Sequence, residues 1–422
     1  MTAVEEAPRA QPSAAEIRVR GGMRQRLILL GPAFVAAIAY VDPGNVAANI
    51  SAGAQFGFLL VWVIFLANAM AGLVQYLSAK LGLVSGRTLP EAVADHTRTP
   101  TRIGYWLQAE MVAMATDLAE VVGGAIALNL LFELPLLVGG IITGAVSLLL
   151  LALQNRRGQR VFERVISGLL LVIAIGFLTS LFVEPPPLAD AAEGLVPRFK
   201  GAESVLLATA MLGATVMPHA VYLHSGLARD RHGHPEPGPR RRLLLRVTRI
   251  DVGLAMLVAG TVNLSMVLVA ATNLQGRDDT DSIEGAHSAV RDTLGPTVAL
   301  FFAIGLLASG LASTSVGAYA GAMIMQGLLH RTYPLLVRRL VTLIPALVIL
   351  AIGVDPSRAL VISQVVLSFG IPFALIPLIR LTGDRALMGD DTNHRITTLL
   401  GWAVAAMIIG LNVVLIYLTV TA

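Results

Sequence analysis

The segment Asp42-Pro43-Gly44-Asn45 interrupts an apolar run over residues 27–50. This run is long enough to cross a bilayer, which takes roughly 20 apolar residues. Proline removes an amide donor and glycine loosens the backbone, so we expect the helix to break near Pro43 and Gly44 and to leave carbonyl groups without partners. Because a charge at this depth costs roughly 2.5 to 3.5 kcal/mol on insertion scales, Asp42 marks an ion or substrate site. The alternative is a proline kink whose aspartate pairs with a neighbouring helix.

The composition of the whole chain also indicates a membrane protein. Its 422 residues are 55% hydrophobic and 14% charged, with a mean hydropathy of +0.73, which is too apolar for an ordinary soluble domain. The formal net charge is +4, but the arginines lie in short tracts between apolar spans, so membrane topology explains them and we expect no nucleic-acid partner. Cysteine is absent, which excludes disulfides and thiolate metal sites. We expect no removable signal peptide.

The apolar segments predict eleven membrane-spanning helices after a basic tail at residues 1–26. The predicted spans are 27–52, 57–84, 103–130, 134–153, 165–183, 203–228, 250–273, 296–328, 340–354, 359–380 and 396–420. A cytoplasmic tail leaves only five of the 31 basic residues outside, namely Arg198, Lys200, Arg277, Arg291 and Arg358. The positive-inside rule therefore predicts a multi-pass protein of the inner (plasma) membrane, with a cytoplasmic N-terminus, an extracytoplasmic C-terminus and the basic loop 229–249 inside. We expect a monomer in the lipid bilayer.

Ten of these spans divide into two sets of five. Because five is odd, the second set enters the membrane from the opposite face, which predicts an inverted repeat. The first repeat covers 27–183, an extracytoplasmic loop covers 184–202, the second repeat covers 203–380, and 381–422 hold a loop and the eleventh span. Span six then corresponds to span one, and it contains the other interrupted segment, GATVMPH at 213–219. Interrupted helices in corresponding positions of two halves indicate a transport site near the membrane midplane.

The atoms at the two breaks indicate which solute binds there. Asp42 offers an anionic oxygen, Asn45 an amide oxygen, Met217 a thioether, and the backbone near Ala214 a carbonyl oxygen. Hard Ca²⁺ and Mg²⁺ prefer oxygen-only shells, so one sulfur among oxygens favours Mn²⁺, Fe²⁺, Co²⁺ or Cd²⁺. A methionine in a membrane helix is usually a packing residue, and chemistry alone leaves both interpretations of Met217 open.

Span three contains three acidic residues, Glu110, Asp117 and Glu120. At 100° per residue they lie within roughly 80° on one side of the helix, which makes contact with lipid improbable. They can carry protons, or they can form fixed salt bridges to Arg338 and Arg339 at the inner end of span nine. Chemistry alone leaves both interpretations open, and the two can coexist as a relay.

We consider four further polar residues within the spans as site candidates. His219 follows Met217 by two positions and can accept a proton beside a bound cation. His224 points about 140° away from His219, and we interpret it as a core histidine with its hydrogen bonds satisfied. Gln364 and Asn263 lie in spans ten and seven, where most such residues hold helices together.

The sequence resembles the Nramp family of divalent-metal transporters, most closely its bacterial proton-dependent manganese transporters. The segments 42–45 (DPGN) and 217–219 (MPH) match the two signatures of that family, in spans one and six. The segments 115–120 (ATDLAE) and 213–216 (GATV) match as well. The resemblance covers about residues 25–420.

The resemblance implies an all-α polytopic membrane protein with a LeuT-like fold, a 5+5 inverted repeat and an eleventh transmembrane helix. It implies that a metal is coordinated by Asp42, Asn45, the Ala214 carbonyl and Met217, with a contribution from Gln364 in some conformations. It implies a proton pathway through Asp42, His219, Asp117 and Glu120, with Arg338 and Arg339 as partners towards the cytoplasm. Glu110 extends the same acidic face. Family members that carry Mg²⁺ replace the methionine, whereas this chain keeps it.

We therefore expect a secondary transporter that imports Mn²⁺, and also Fe²⁺, Co²⁺ and Cd²⁺, together with protons by alternating access. The metal is a substrate, and no cofactor is expected. The chain has no Gly-x-Ser-x-Gly and no His-Glu-x-x-His segment, so we do not expect an enzyme. The alternative function is a sodium-coupled amino-acid transporter of the same general fold, although Asp42 would repel a substrate carboxylate.

Overall fold

A computed structural model describes residues 30–157, 159–276, 282–331 and 335–421. The regular structure in these ranges is entirely helical. The predicted basic tail and the residues 277–281 of the acidic outer loop lie outside the described residues.

Each predicted span contains helix. Spans one and six are pairs of half-helices, Pro32–Ile38 with Pro43–Phe56 and Gly201–Thr215 with Pro218–His232. The other spans are Val61–Ser85, Thr99–Phe132, Leu136–Arg157, Gln159–Val183, Pro239–Asn273, Pro296–Leu329, Leu335–Ile352, Pro356–Gly383 and Arg395–Thr421. Shorter helices at Leu89–Asp95, Leu188–Glu193, Ile283–Leu294 and Arg385–Met388 connect them.

Eight helical segments within the described ranges are long and apolar enough to cross a membrane. One of them, Pro43–Ser85, contains both the second half of span one and the whole of span two. Spans four and nine are not among the eight. Their helices have 22 and 18 residues, so at 1.5 Å per residue they are about 33 and 27 Å long, close to the roughly 30 Å hydrocarbon core.

The inner end of span seven differs from the prediction. Residues 229–249 were expected to form a loop, but the helix Pro218–His232 extends into this stretch and the helix of span seven already begins at Pro239. Arginine and leucine are good helix formers, and proline is favoured at a first helical position, so this basic sequence continues the transmembrane helix beyond the apolar part.

Glycines allow the central helices to approach closely. A side chain on Gly310 of span eight would meet the backbone of Gly124 in span three at 3.1 Å, and one on Gly123 would collide with the ring of Pro43. Many large apolar side chains of the outer helices are exposed, including Phe182, Leu399 and Val420. The buried interior contains polar residues instead, as expected of a bundle whose outer surface faces lipid.

Candidate functional site

The helix of span one is interrupted at Asp42. This residue is extended, with φ −71° and ψ 166°, and Pro43 is the first residue of the following half-helix. The Asp42 carboxylate caps that half-helix, because its Oδ1 accepts the backbone N–H of Asn45 at 2.8 Å. The missing N–H of Pro43 costs no helical hydrogen bond at this position. The break therefore lies at Asp42, just before the predicted position.

Gly44 has a different role from the predicted one. It is helical, so the expectation that it loosens the backbone is wrong. A side chain on Gly44 would collide with the side-chain amide of Gln364, and a side chain on Gly213 in span six would collide with the backbone carbonyl of the same glutamine. A glycine in each interrupted helix thus makes room for span ten at Gln364.

The carbonyl groups before the first break have partners. The Tyr40 carbonyl accepts Nδ2 of Asn263 at 2.8 Å, and the Val41 carbonyl accepts Oγ of Ser309 at 2.5 Å. Asn263 also accepts Nδ2 of Asn49 at 3.2 Å. The prediction that the break leaves its carbonyls unpaired is wrong for these two groups, because polar side chains of spans seven and eight satisfy them.

The second break frees a carbonyl by a simple mechanism. In an uninterrupted helix the Ala214 carbonyl would accept the N–H of residue 218, but Pro218 has none. The first half-helix of span six ends at Thr215, and Met217 is extended, with φ −62° and ψ 123°. The Ala214 carbonyl accepts Nδ2 of Asn45 at 2.8 Å instead. Asn45 therefore links the two interrupted helices.

Asp42 lies at the centre of these contacts. Its Oδ1 accepts Nδ2 of Asn45 at 3.1 Å, and its Oδ2 lies 3.5 Å from Nε2 of Gln364. The Oε1 of Gln364 has no hydrogen-bond partner in the part of the chain that the structure describes. Asp42, Asn45, Met217 and Gln364 are each 0% exposed. The structure thus brings Asp42, Asn45, the Ala214 carbonyl and Gln364 together, and Met217 follows Ala214 by three residues, in an extended conformation.

This cluster carries a single formal negative charge. The described residues contain no group of three or more histidine, aspartate or glutamate side chains that could hold a metal ion. The number of charged ligands tunes cation affinity. One carboxylate with neutral oxygens and a thioether is therefore suited to reversible binding of a cation, as transport requires.

The acidic face of span three meets two arginines of span nine. Glu110 lies 3.1 Å from Nη2 of Arg338, and Asp117 forms an ion pair with Nη1 of Arg339. Arg339 is almost fully buried and also donates from Nε to Ser147 at 3.2 Å. The salt bridges that were one of the two interpretations of these acids are thus present.

Glu120 lies beyond these ion pairs along span three, and His219 of span six contacts span three between them. Glu120 is fully buried, and neither of its oxygens has a hydrogen-bond partner among the described residues. His219 is buried as well, and its Nδ1 lies 3.3 Å from Oγ1 of Thr116, the neighbour of Asp117 in sequence.

His224 is only partly as predicted. Its Nδ1 lies 2.6 Å from Oε1 of Gln75, whereas its Nε2 has no partner within the described ranges. The interpretation as a satisfied core histidine therefore holds for one ring nitrogen and fails for the other.

A cavity of about 560 Å³ approaches the cluster from the side predicted to be extracytoplasmic. It is lined by residues of spans one, six and ten, including Ser51, Leu207 and Val361. Val361 precedes Gln364 by three residues, which is about one helical turn. Because the cluster residues are buried, the cavity ends before it reaches them.

Comparisons with known proteins identify relatives over nearly the whole chain. Residues 33–418 match the Nramp family model, described as natural resistance-associated macrophage protein-like. A Mycobacterium tuberculosis (strain H37Rv) protein named divalent metal cation transporter MntH is 71% identical over 402 residues, which cover 95% of this chain and 94% of that protein. The Bacillus subtilis (strain 168) protein of the same name is 46% identical over 418 residues, covering 99% and 98%.

Solved structures agree with this result. A manganese transporter of Eremococcus coleocola, in complex with an aromatic bis-isothiourea substituted compound, superposes with a TM-score of 0.82 at 30% identity, covering 94% of this chain and 87% of that one. MhsT in complex with L-phenylalanine gives a TM-score of 0.60 at 14% identity, covering 92% and 98%. At that identity the likeness to MhsT concerns the fold alone.

The fold and the two interrupted helices define a multi-pass membrane transporter with a LeuT-like 5+5 inverted repeat and an eleventh helix. More specifically, the chain belongs to the Nramp family and is a divalent metal ion transporter.

Proposed function

We propose that the protein imports Mn²⁺, and also Fe²⁺, Co²⁺ and Cd²⁺, together with protons, and that its N-terminus is cytoplasmic. The main support for the proposed metal site is a pair of hydrogen bonds, which Asn45 Nδ2 donates to Asp42 Oδ1 and to the Ala214 carbonyl. These bonds hold an acidic and a neutral oxygen from the two interrupted helices on one amide group. The named relatives that transport manganese or divalent cations support the choice of substrate.

A cation that uses both of these oxygens has to replace the amide hydrogens of Asn45. Turning the Asn45 side chain over would present its oxygen to the cation in place of its NH₂ group. Gln364 Oε1 would add a further oxygen, and the Met217 sulfur would favour softer ions over Ca²⁺ and Mg²⁺. Asp42, Asn45, Ala214, Met217 and Gln364 would thus form the coordination sphere.

Protons would travel along span three. Asp42 and His219 border the metal site, and Asp117, Glu120 and Glu110 continue the acidic face towards Arg338 and Arg339. The ion pairs of Asp117 and Glu110 support this proposal, because a proton taken by either carboxylate would weaken its pairing with arginine. Such a change would couple protonation to the packing of span nine.

Alternating access would open the site to each side in turn. In this proposal the buried cluster would be a closed site near the membrane midplane, with the cavity on its outer side. On the inner side, Asp251 of span seven accepts the backbone N–H groups of Gly31 and Ala33 at 3.1 and 3.0 Å. These bonds hold the start of span one against span seven. The membrane potential contributes about 2.3 kcal/mol per charge per 100 mV, so it would drive a dication inward.

Purified protein in sealed vesicles, with a pH dye and a metal dye inside, would test this function. We expect added Mn²⁺ to enter and the interior to become acidic, while Ca²⁺ and Mg²⁺ give little signal. Metal uptake without acidification would refute proton coupling. Inhibition of Mn²⁺ uptake by amino acids would favour the sodium-coupled amino-acid transporter instead.

A further inference from the structure

The helix of span seven extends beyond any membrane core. Pro239–Asn273 has 35 residues and is therefore about 52 Å long, whereas the hydrocarbon core is roughly 30 Å thick. Its first turns carry the arginines of the basic stretch. These turns consequently lie at the level of the lipid headgroups on the side predicted to be cytoplasmic.

Three exposed arginines share one face of this extension. Arg242, Arg246 and Arg249, which we call the arginine row, are separated by four and three residues. At 100° per residue they fall within about 60° of one another around the helix axis. The row is therefore a line of three guanidinium groups pointing in nearly the same direction.

An apolar stripe follows the arginine row along the helix, on the adjacent side. Ile250, Leu254 and Leu257 are 52%, 41% and 64% exposed. At 100° per residue the centre of the stripe lies about 80° around the axis from the centre of the arginine row, and the nearest members, Arg246 and Leu257, are about 20° apart. Adjacent faces of span seven therefore present positive charge at the inner end and apolar side chains further into the membrane.

No carboxylate of the described chain neutralises the row. On this side of the protein, Arg241 pairs with Asp391 at 3.3 Å and Arg229 with Glu91 at 2.8 Å. No such pair, within 4.0 Å, involves a member of the arginine row in the described ranges. Three adjacent positive charges without an internal partner are suited to an external anion.

An aromatic ring holds one member of the row in place. The Arg249 guanidinium lies 4.9 Å from the centre of the Tyr76 ring on span two, a distance typical of cation–π contacts.

We propose that the arginine row and the apolar stripe form a binding site for an anionic phospholipid of the cytoplasmic leaflet. The headgroup phosphate would lie between the guanidinium groups, which bind phosphate oxygens in pairs. An acyl chain would follow Ile250, Leu254 and Leu257. The positive-inside rule requires basic residues on this side, but it does not require three of them to share one face without a carboxylate partner and to adjoin a lipid-facing stripe. This combination is what indicates a site.

The test compares lipid binding by the full-length protein and by the triple variant R242Q/R246Q/R249Q. Native mass spectrometry in detergent, with phosphatidylglycerol or phosphatidylcholine of identical chains, measures the affinity for the first bound lipid. One basic residue near an anionic surface contributes roughly fivefold to affinity, so we expect the triple variant to lose at least about tenfold for phosphatidylglycerol. Its affinity for phosphatidylcholine should not change.

The matched control is R240Q/R385Q/R395Q, which removes the same charge from exposed positions on the same side. Arg240 points about 160° away from Arg242, so it does not belong to the row. Equal losses in both triple variants, or none in either, would overturn the proposal. Displacement of the lipid by excess inorganic phosphate would overturn the part assigned to the acyl chain. The single variants R242Q and R246Q, with smaller losses expected, provide the same comparison if the triple variant is poorly folded.

Discussion

The two interrupted helices occupy corresponding positions in the two repeats but are built differently. The break in span one is charged, and Asp42 both interrupts the helix and caps its second half. The carbonyls before it are covered by Asn263 and Ser309. The break in span six has no side-chain cap at Met217, and the Ala214 carbonyl, which lacks a helical partner, accepts Nδ2 of Asn45 at the other break.

This difference indicates that the two breaks contribute different properties to the site. Asn263 of span seven and Ser309 of span eight donate hydrogen bonds to the backbone just before the first break. The surrounding helices therefore fix the position of the Asp42 carboxylate. The second break supplies a neutral oxygen only because Pro218 lacks an N–H. We therefore propose that the first break would determine where a cation binds and that the second would influence which cation binds. Each of the following variants alters one side of this comparison.

Replacing Asp42 should have the largest effect. Asp42→Asn keeps a side chain that can cap the half-helix but removes the charge, whereas Asp42→Ala removes both. We expect both variants to abolish Mn²⁺ uptake, with a loss of at least roughly a hundredfold, because even outer partners of a metal site contribute 10–100-fold. Vesicle uptake measures this loss. Substantial uptake by folded Asp42→Asn would show that the first break does not bind the cation through its charge.

Asn263→Ala tests the support behind the first break. It leaves the Tyr40 carbonyl unpaired, which we expect to cost about 1–3 kcal/mol of stability and to weaken Mn²⁺ binding. Asn412→Ala is the control, because Asn412 is also buried but bonds to Ser368 of span ten and not to the backbone before the first break. Calorimetry gives metal affinity, and thermal unfolding gives stability. If both variants lose stability and neither loses affinity, spans seven and eight do not position Asp42.

Local patterns in the sequence predicted the two breaks, since proline and an intramembrane charge act on their own helices. The same patterns did not reveal Ser309, which is one of many small residues in span eight, at 304–321. It bonds to a residue 268 positions away, and this contact exists only once spans one and eight pack together.

The arginine partners of span three illustrate an intermediate case. Buried acids need opposite charges, so Arg338 and Arg339 were one of two predicted outcomes, and the ion pairs are present. Sequence could not decide which acid takes which arginine, nor that Glu120 would have no hydrogen-bond partner among the described residues. Those outcomes depend on the rotation of span nine against span three.

Met217→Ala tests the second break through selectivity. Removing the thioether should leave some Mn²⁺ transport but let Ca²⁺ compete at roughly tenfold lower concentration, equivalent to about 1.4 kcal/mol of lost discrimination. Met211→Ala is the control, because Met211 is a buried methionine in the first half-helix of the same span. We expect it to lower stability without changing selectivity. Unchanged exclusion of Ca²⁺ by Met217→Ala would mean that the sulfur does not select the metal.

Thr215→Val should have the smallest effect. It tests whether the second break helps to position the cation. The Thr215 hydroxyl already donates to the Met211 carbonyl at 2.8 Å, and its contact with Asn45 Oδ1 is long, at 3.5 Å. Valine keeps the shape, so we expect a loss near the low end for a hydrogen bond, about 0.5 kcal/mol or roughly twofold in Mn²⁺ affinity. A much larger loss would show that Thr215 holds the Asn45 amide in place. The second break would then help to position the cation as well as to select it, and the division between the two breaks would no longer hold.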